Sequence, residues 1–125
     1  MLRLYRCKHC GNIVIMAYDG GGQLVCCGEP MELLEPNTVD AAQEKHVPAV
    51  TVDGNKVTVK VGSVEHPMTE VHYIGSIMLE STGSLQTRFL KCTDKPEATF
   101  ALAEGEKPVA AYEYCTLHGF WKAEI

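Results

Sequence analysis

The stretch Asp53-Gly54-Asn55-Lys56-Val57-Thr58-Val59-Lys60-Val61 is a turn signal followed by strict apolar–polar alternation. A period of two sends successive side chains to opposite faces, so the segment reads as a strand with Val57, Val59 and Val61 on one face. The same period recurs at Leu2/Leu4 and Phe100/Leu102, and the apolar stretch from Ile74 to Leu79 adds a further strand. Turn signals separate these runs at Ser81-Thr82-Gly83-Ser84, Asp94-Lys95-Pro96 and Glu104-Gly105. No segment shows a 3.6-residue apolar period with caps at both ends, so helices are expected to be few and short. The expected class is all-β, with an antiparallel sandwich or barrel in the longer part of the chain.

The 125 residues fit one domain, or one small domain plus a module held by metal or disulfides. With 46% hydrophobic and 22% charged residues the composition is that of a folded chain rather than a disordered or collagenous one. The longest apolar run, Ile13 to Tyr18, is six residues, against the roughly 20 that a membrane helix requires. Arg3, Arg6 and Cys7 stand where a secretory signal would carry its apolar core, so a cytoplasmic location is expected. A net charge of −5 argues against nonspecific nucleic-acid binding as the main role. In a reducing compartment the six cysteines point to metal ligation rather than a disulfide framework.

A boundary falls near Glu35-Pro36-Asn37-Thr38, giving an N-terminal module over residues 1–36 and a second domain over 37–125. About 35 residues bury too little apolar surface to fold on a core alone. The first module supplies a remedy in Cys7-Lys8-His9-Cys10-Gly11 and, after fourteen intervening residues, Cys26-Cys27-Gly28. A C-x-x-C turn followed by glycine lets two thiolates converge on one ion, and four sulfurs suit tetrahedral iron or zinc. Taken in isolation, two cysteine pairs favour structural zinc over iron. Adjacent cysteines on an extended strand face opposite ways, so Cys26 and Cys27 can share an ion only if the chain bends there. Gly20-Gly21-Gly22 is expected to form a tight hairpin between the halves, and His9 to face solvent.

The second domain holds the other four histidines, in His46-Val47-Pro48, His66-Pro67-Met68, His72-Tyr73-Ile74 and Cys115-Thr116-Leu117-His118-Gly119. Prolines shortly after His46 and His66 suggest loop positions at sheet ends. His66 and His72, six apart with a proline between them, read as a loop rather than one strand. The three-residue step from Cys115 to His118 lets one turn present sulfur and imidazole to a single ion. Four neutral imidazoles and one thiolate exceed the usual donor count of zinc and favour a transition metal of higher coordination number, iron first. Five protein donors on an octahedral ion leave one position open, as a reactive centre requires.

Together, Cys7, Cys10, Cys26-Cys27-Gly28-Glu29-Pro30-Met31, Glu44-Lys45-His46-Val47-Pro48, His66-Pro67-Met68, His72 and Cys115-x-x-His118-Gly119-x-Trp121 closely resemble the desulfoferrodoxins, the two-iron superoxide reductases. The resemblance covers essentially the whole chain. It implies a desulforedoxin-like module followed by an immunoglobulin-like β-sandwich, with two non-haem irons per chain. Cys7, Cys10, Cys26 and Cys27 would ligate the first iron; His46, His66, His72 and His118 would form the equatorial plane of the second, with Cys115 axial. The implied reaction is one-electron reduction of superoxide to hydrogen peroxide at ferrous iron, with re-reduction by an external donor such as rubredoxin. A homodimer is the family-level expectation. Glu44 is nominated as the sixth ligand of the resting ferric ion, and Lys45 as an attractor of superoxide and a route for protons. Many relatives carry an acidic residue and tryptophan after the His72-type histidine, where this chain has Gly75-Ser76.

Cys92 reads as a buried structural thiol, Met16, Met31, Met68 and Met78 as packing residues, and Trp121 as a shield for the iron site. Three rival readings stand beside the reductase. They are a redox-inert zinc module that binds a protein partner, an electron carrier with a closed second site, and a superoxide dismutase.

Overall fold

The computed structural model describes residues 2–125, which divide into two compact units, one ending at Glu35 and one running from Pro36 to Ile125. Thirteen short elements account for both. All but one are strands. No helix among the described residues is long and apolar enough to cross a membrane.

In the first unit β1 (Leu4–Arg6) is the centre of a three-stranded antiparallel sheet, flanked by β2 (Ile13–Ile15) and β5 (Glu32–Leu33). A separate two-stranded hairpin joins β3 (Val25–Cys26) to β4 (Glu29–Pro30). Its two-residue turn is Cys27-Gly28, with φ of 52° and 78°. Positive φ at both central residues is the type I′ pattern, whose twist matches that of antiparallel strands. The tight hairpin is therefore here and not at Gly20-Gly21-Gly22. That triplet lies in an irregular loop tied down by Asp19, whose carboxylate accepts from Gly21 N–H at 2.8 Å and pairs with Arg3 at 2.6 Å. Three successive glycines carry no side chains to pair across a ladder, so the polar anchor decides the path instead.

The second unit begins with the single helix, α1 (Gln43–His46). Then come β6 (Pro48–Asp53), β7 (Lys56–Val61), β8 (Ile74–Ser81), β9 (Leu85–Phe89), β10 (Glu97–Ala101), β11 (Pro108–Cys115) and β12 (Gly119–Glu124). Two antiparallel sheets result, ordered β10-β7-β6 and β12-β11-β8-β9. Val57, Val59 and Val61 of β7, with Phe100 of β10, meet Ile74, Ile77 and Leu79 of β8 and Ala111 and Cys115 of β11 in one core. Burying each of the Val, Ile, Leu and Phe side chains among them contributes about 1.5–3 kcal/mol. The Gly54-Asn55 turn joins β6 to β7 as a hairpin, with Asp53 opposite Lys56.

Ile74 and Ile77 are both fully buried although an odd spacing would send them to opposite faces. A bulge resolves this. Tyr114 pairs with Ser76 but Cys115 pairs with Ile74, leaving Gly75 as the extra residue of β8. Gly75 thereby turns Ile74 inward, opposite the Cys115 thiol. Past the bulge the ladder resumes: Thr116 N–H donates to Tyr73 O at 3.0 Å and Tyr73 N–H to Thr116 Oγ1 at 3.1 Å. His72 is thus held beside the turn that carries Cys115 and His118.

Two further expectations need correction. His46 is the last residue of α1 rather than a loop residue; Val47, preceding Pro48, is extended and stops the helix after one turn. Cys92 is half-buried in a turn, not a core thiol, because the chain leaves the sheet after Phe89.

Candidate metal centres

Cys7, Cys10, Cys26 and Cys27 bring their four sulfurs within 4.8 Å of one another. The first two come from the knuckle between β1 and β2, closed by Cys7 N–H to Asn12 O at 2.9 Å and Gly11 N–H to Cys7 O at 3.0 Å. The other two come from the type I′ hairpin, where the left-handed conformation of Cys27 supplies the bend that lets neighbouring cysteines face the same point. Cys10 N–H donates to Cys7 Sγ at 3.5 Å and Asn12 Nδ2 to Cys26 Sγ at 3.8 Å. Chiefly through the Cys10 N–H, the Cys7 thiol is lowered to about 6. Cys27 is pushed up to about 12, first by its contact with the Cys10 sulfur. Four thiols so close do not all ionise without a cation among them, and tetrahedral iron or zinc is that cation. His9 is half-exposed as expected, yet its Nε2 pairs with Glu29 at 3.1 Å, linking the knuckle to the hairpin.

The second cluster is built from three parts of the chain. His46 ends α1, His66 and His72 lie in the connection from β7 to β8, and Cys115 and His118 flank the turn from β11 to β12. Ring centroids of neighbouring imidazoles are 4.7 Å (His46–His66), 4.7 Å (His66–His72), 5.0 Å (His72–His118) and 4.9 Å (His118–His46). Each adjacent pair is near perpendicular, and the diagonal pair His46–His72 is 6.4 Å apart and near parallel. The four rings form a square. Cys115 Sγ, fully buried, lies 3.4 Å from His66 Nε2 and accepts from His118 N–H at 3.4 Å. His46, His66, His72 and Cys115 have donor atoms within 4.8 Å of one another; His118 joins them through Nδ1, 3.1 Å from His46 Nε2.

The tautomers follow from the outer partners. His46 Nδ1 lies 2.7 Å from Ala42 O and His66 Nδ1 lies 2.6 Å from Pro67 O. A carbonyl only accepts, so both Nδ1 atoms carry the proton and both Nε2 atoms present lone pairs. Those lone pairs face each other at 3.2 Å, and the buried Nε2 of His72 has no partner among the described residues. Inward-facing lone pairs beside a thiol repel one another unless a cation sits between them. The donor set therefore fits a metal ion, with a backbone carbonyl orienting each of two imidazoles from behind. Burial lowers His46, His66 (to about 4) and His72, which keeps these imidazoles neutral. Burial also raises the Cys115 thiol, against the backbone N–H groups of His118 and Leu117 that lower it.

These two centres decide the comparison with known proteins. The desulfoferrodoxin family model matches residues 38–124, and its N-terminal domain matches residues 1–34. The chain belongs to the desulfoferrodoxin family. It is 52% identical over 121 residues to the desulfoferrodoxin of Nitratidesulfovibrio vulgaris, covering 97% of this chain and 94% of the relative. It is 51% identical over 123 residues to that of Syntrophotalea carbinolica, covering 98% and 96%. Among solved structures, the superoxide reductase from Treponema pallidum superposes with a TM-score of 0.83 at 39% identity, covering 99% of each chain. The four-cysteine and histidine–cysteine groups match the two iron sites of the desulfoferrodoxins, and the desulforedoxin-like module followed by a β-sandwich is the architecture read from the sequence.

Lys45 and Glu44, neighbours of His46 on α1, are both exposed. Lys45, with His66, Pro67 and Lys95, lines an open cavity of about 500 Å³. The Lys45 charge reaches His46 and His72, lowering both, while Glu44 acts oppositely on His46. Trp121 is fully buried beside the cluster. Its ring stacks on His46 at 4.9 Å, and its Nε1–H donates to His118 O at 3.1 Å. One residue went unnoticed in the sequence. Glu113, one strand repeat before Cys115, is fully buried, and neither carboxyl oxygen has a partner among the described residues; burial holds its pKa well above the carboxylate range. Nothing in Tyr112-Glu113-Tyr114 marks this carboxyl, because burial on both faces of a central strand depends on what covers it.

Proposed function

We propose that this desulfoferrodoxin is a superoxide reductase, with the reactive iron held by His46, His66, His72, His118 and Cys115. The observation that carries the reading is the square of four imidazoles closed from the core by one thiolate. Five protein donors leave a six-coordinate ion one position for substrate. Iron held by these residues would supply the single electron by which superoxide becomes peroxide. The rest is done by the chain. His46 and His66, oriented by Ala42 and Pro67, stay neutral. The Cys115 thiolate, sheltered in the core, donates charge toward the ion. Lys45 brings positive charge to the approach of an anionic substrate and offers a proton for peroxide release. Glu44 is the carboxylate assigned to the oxidised resting centre.

Cys7, Cys10, Cys26 and Cys27 hold the first iron, as an electron relay or as the staple that folds the module. A rubredoxin-like carrier restores the reduced state, and the working form is a cytoplasmic homodimer. The test is metal content and reaction on protein purified without oxygen. Two irons per chain are expected, with superoxide consumed to hydrogen peroxide and no dioxygen evolved. Zinc alone after expression with ample iron would sink the reading, and dioxygen formed alongside peroxide would make the protein a dismutase.

A further inference from the structure

The turn after β7 and helix α1 meet backbone to backbone. A Cβ on Gly62 would stand 2.5 Å from Glu44 O, 3.0 Å from the Lys45 carbonyl carbon and 3.0 Å from Val47 O. Side-chain carbons do not approach backbone atoms at 2.5 Å, so only glycine admits this contact. The same turn clamps the helix. Val64 N–H donates to Glu44 O at 2.9 Å, and Ser63 Oγ donates to the same carbonyl at 3.3 Å. Farther along, His66 N–H donates to Val61 O at 2.9 Å, so one short segment both grips α1 and delivers His66 to the cluster.

A one-turn helix has no stability of its own. α1 also lacks a side-chain cap, since Ala42 stands at its N-cap. His46 has one anchor outside the helix, the Trp121 ring, while its bond to Ala42 O lies within the helix segment. Glu44 and Lys45 sit on the part of the helix that the 62–64 turn touches, with exposed side chains.

We infer that Gly62 is a positioning residue for superoxide reduction: by admitting the 62–64 turn onto the α1 backbone, it sets where Lys45 stands relative to the histidine cluster. The inference rests on the superoxide reductase reading and on the role given there to Lys45. With alanine at 62 the turn and helix must part, and the Lys45 ammonium moves with the helix backbone. His72, His118 and Cys115 stay where β8 and β11 hold them, and His66 keeps its own backbone bond to Val61 O at the end of β7.

The test is a double-mutant cycle of Gly62→Ala and Lys45→Ala on the iron-loaded protein. Gly62→Ala is expected to keep two irons per chain, to slow the bimolecular reaction with superoxide on the order of threefold and to flatten its ionic-strength dependence. Added to Lys45→Ala, it should slow the reaction no further. A Gly62→Ala protein with wild-type rate and salt dependence overturns the inference, as does full additivity, which would show Gly62 acting elsewhere. If Lys45→Ala alone matches wild type, the role of Lys45 is what fails. Independently of activity, hydrogen exchange of the peptide containing Val64 should accelerate in Gly62→Ala while β7 keeps its protection; unchanged exchange overturns the inference. Should Gly62→Ala not fold, Ser63→Ala removes one donor to Glu44 O. It should weaken the salt dependence in the same direction, and wild-type behaviour there counts against the clamp.

Discussion

Trp121 and His46 stack face to face at 4.9 Å with an interplanar angle of 28°, and the same indole donates to the carbonyl of His118. One buried side chain therefore braces two neighbouring corners of the imidazole square. Trp121→Phe keeps a ring against His46 but loses the hydrogen bond, an expected cost of about 1 kcal/mol. Trp121→Ala should cost about 3–5 kcal/mol. Thermal unfolding reads the stability, and the visible spectrum of the oxidised protein should shift in both variants. A spectrum identical to wild type in Trp121→Ala would remove Trp121 from the site.

Cys115 is fully buried and is the only sulfur ligand available to the histidine cluster among the described residues. Replacing it with serine exchanges a polarizable thiolate for a hydroxyl that stays protonated near neutrality. Cys115→Ser is expected to abolish the sulfur-dependent visible absorption of the oxidised protein and to remove superoxide reduction. Retention of both would mean that the thiolate does not reach the ion.

For Lys45 the predicted change is kinetic. Lys45→Ala should slow the reaction with superoxide at low salt and flatten its response to added salt, while Lys45→Arg should preserve the salt response. Stopped-flow measurements across ionic strength decide this. A rate that responds to salt as wild type does would assign steering to other charges.

Gly28 occupies the second central position of the Cys26–Glu29 turn at φ of 78°. Gly28→Ala forces an L side chain into the left-handed region, at a cost of about 1–2 kcal/mol. Because Cys27 shares that turn, the strain falls on the four-sulfur group. Faster loss of the first iron to a chelator is expected, with the second centre unaffected. Equal rates of loss in the two proteins would mean that the turn does not govern metal retention.

Asp19 offers a pH test. Its carboxyl is held below the ordinary value of 3.8, first by Gly21 N–H and then by the Arg3 guanidinium. A depressed folded value means that its contribution is fully present above pH 3.8 and is lost as pH falls through the folded value. Asp19→Asn should therefore lose that acid dependence and raise protease sensitivity at Gly20–Gly22 near neutrality. The readout is cleavage rate against pH, and two superimposable profiles would refute the anchor.

Much of this architecture was legible as pattern. Val57, Val59 and Val61 announce an inward face by alternation, and the Cys7/Cys10 and Cys26/Cys27 pairs announce a metal by chemistry, because a unit of some 35 residues needs one. The residues that gather in the second cluster were legible as well, since sulfur and imidazole donors beside prolines and tight turns are readable one residue at a time. Tertiary structure alone decided the rest. That Gly75 is a bulge depends on the register of β8 against β11; that Cys27-Gly28 rather than Gly20-Gly21-Gly22 makes the tight turn depends on which segments pair. The burial of Glu113, the stack of Trp121 on His46 and the close approach of Gly62 to Glu44 join residues up to 75 positions apart or covered from both sides. Local sequence encodes what a residue can donate and which way a strand alternates, whereas which groups stand within 3 Å of one another is set by how the sheets and their connections pack.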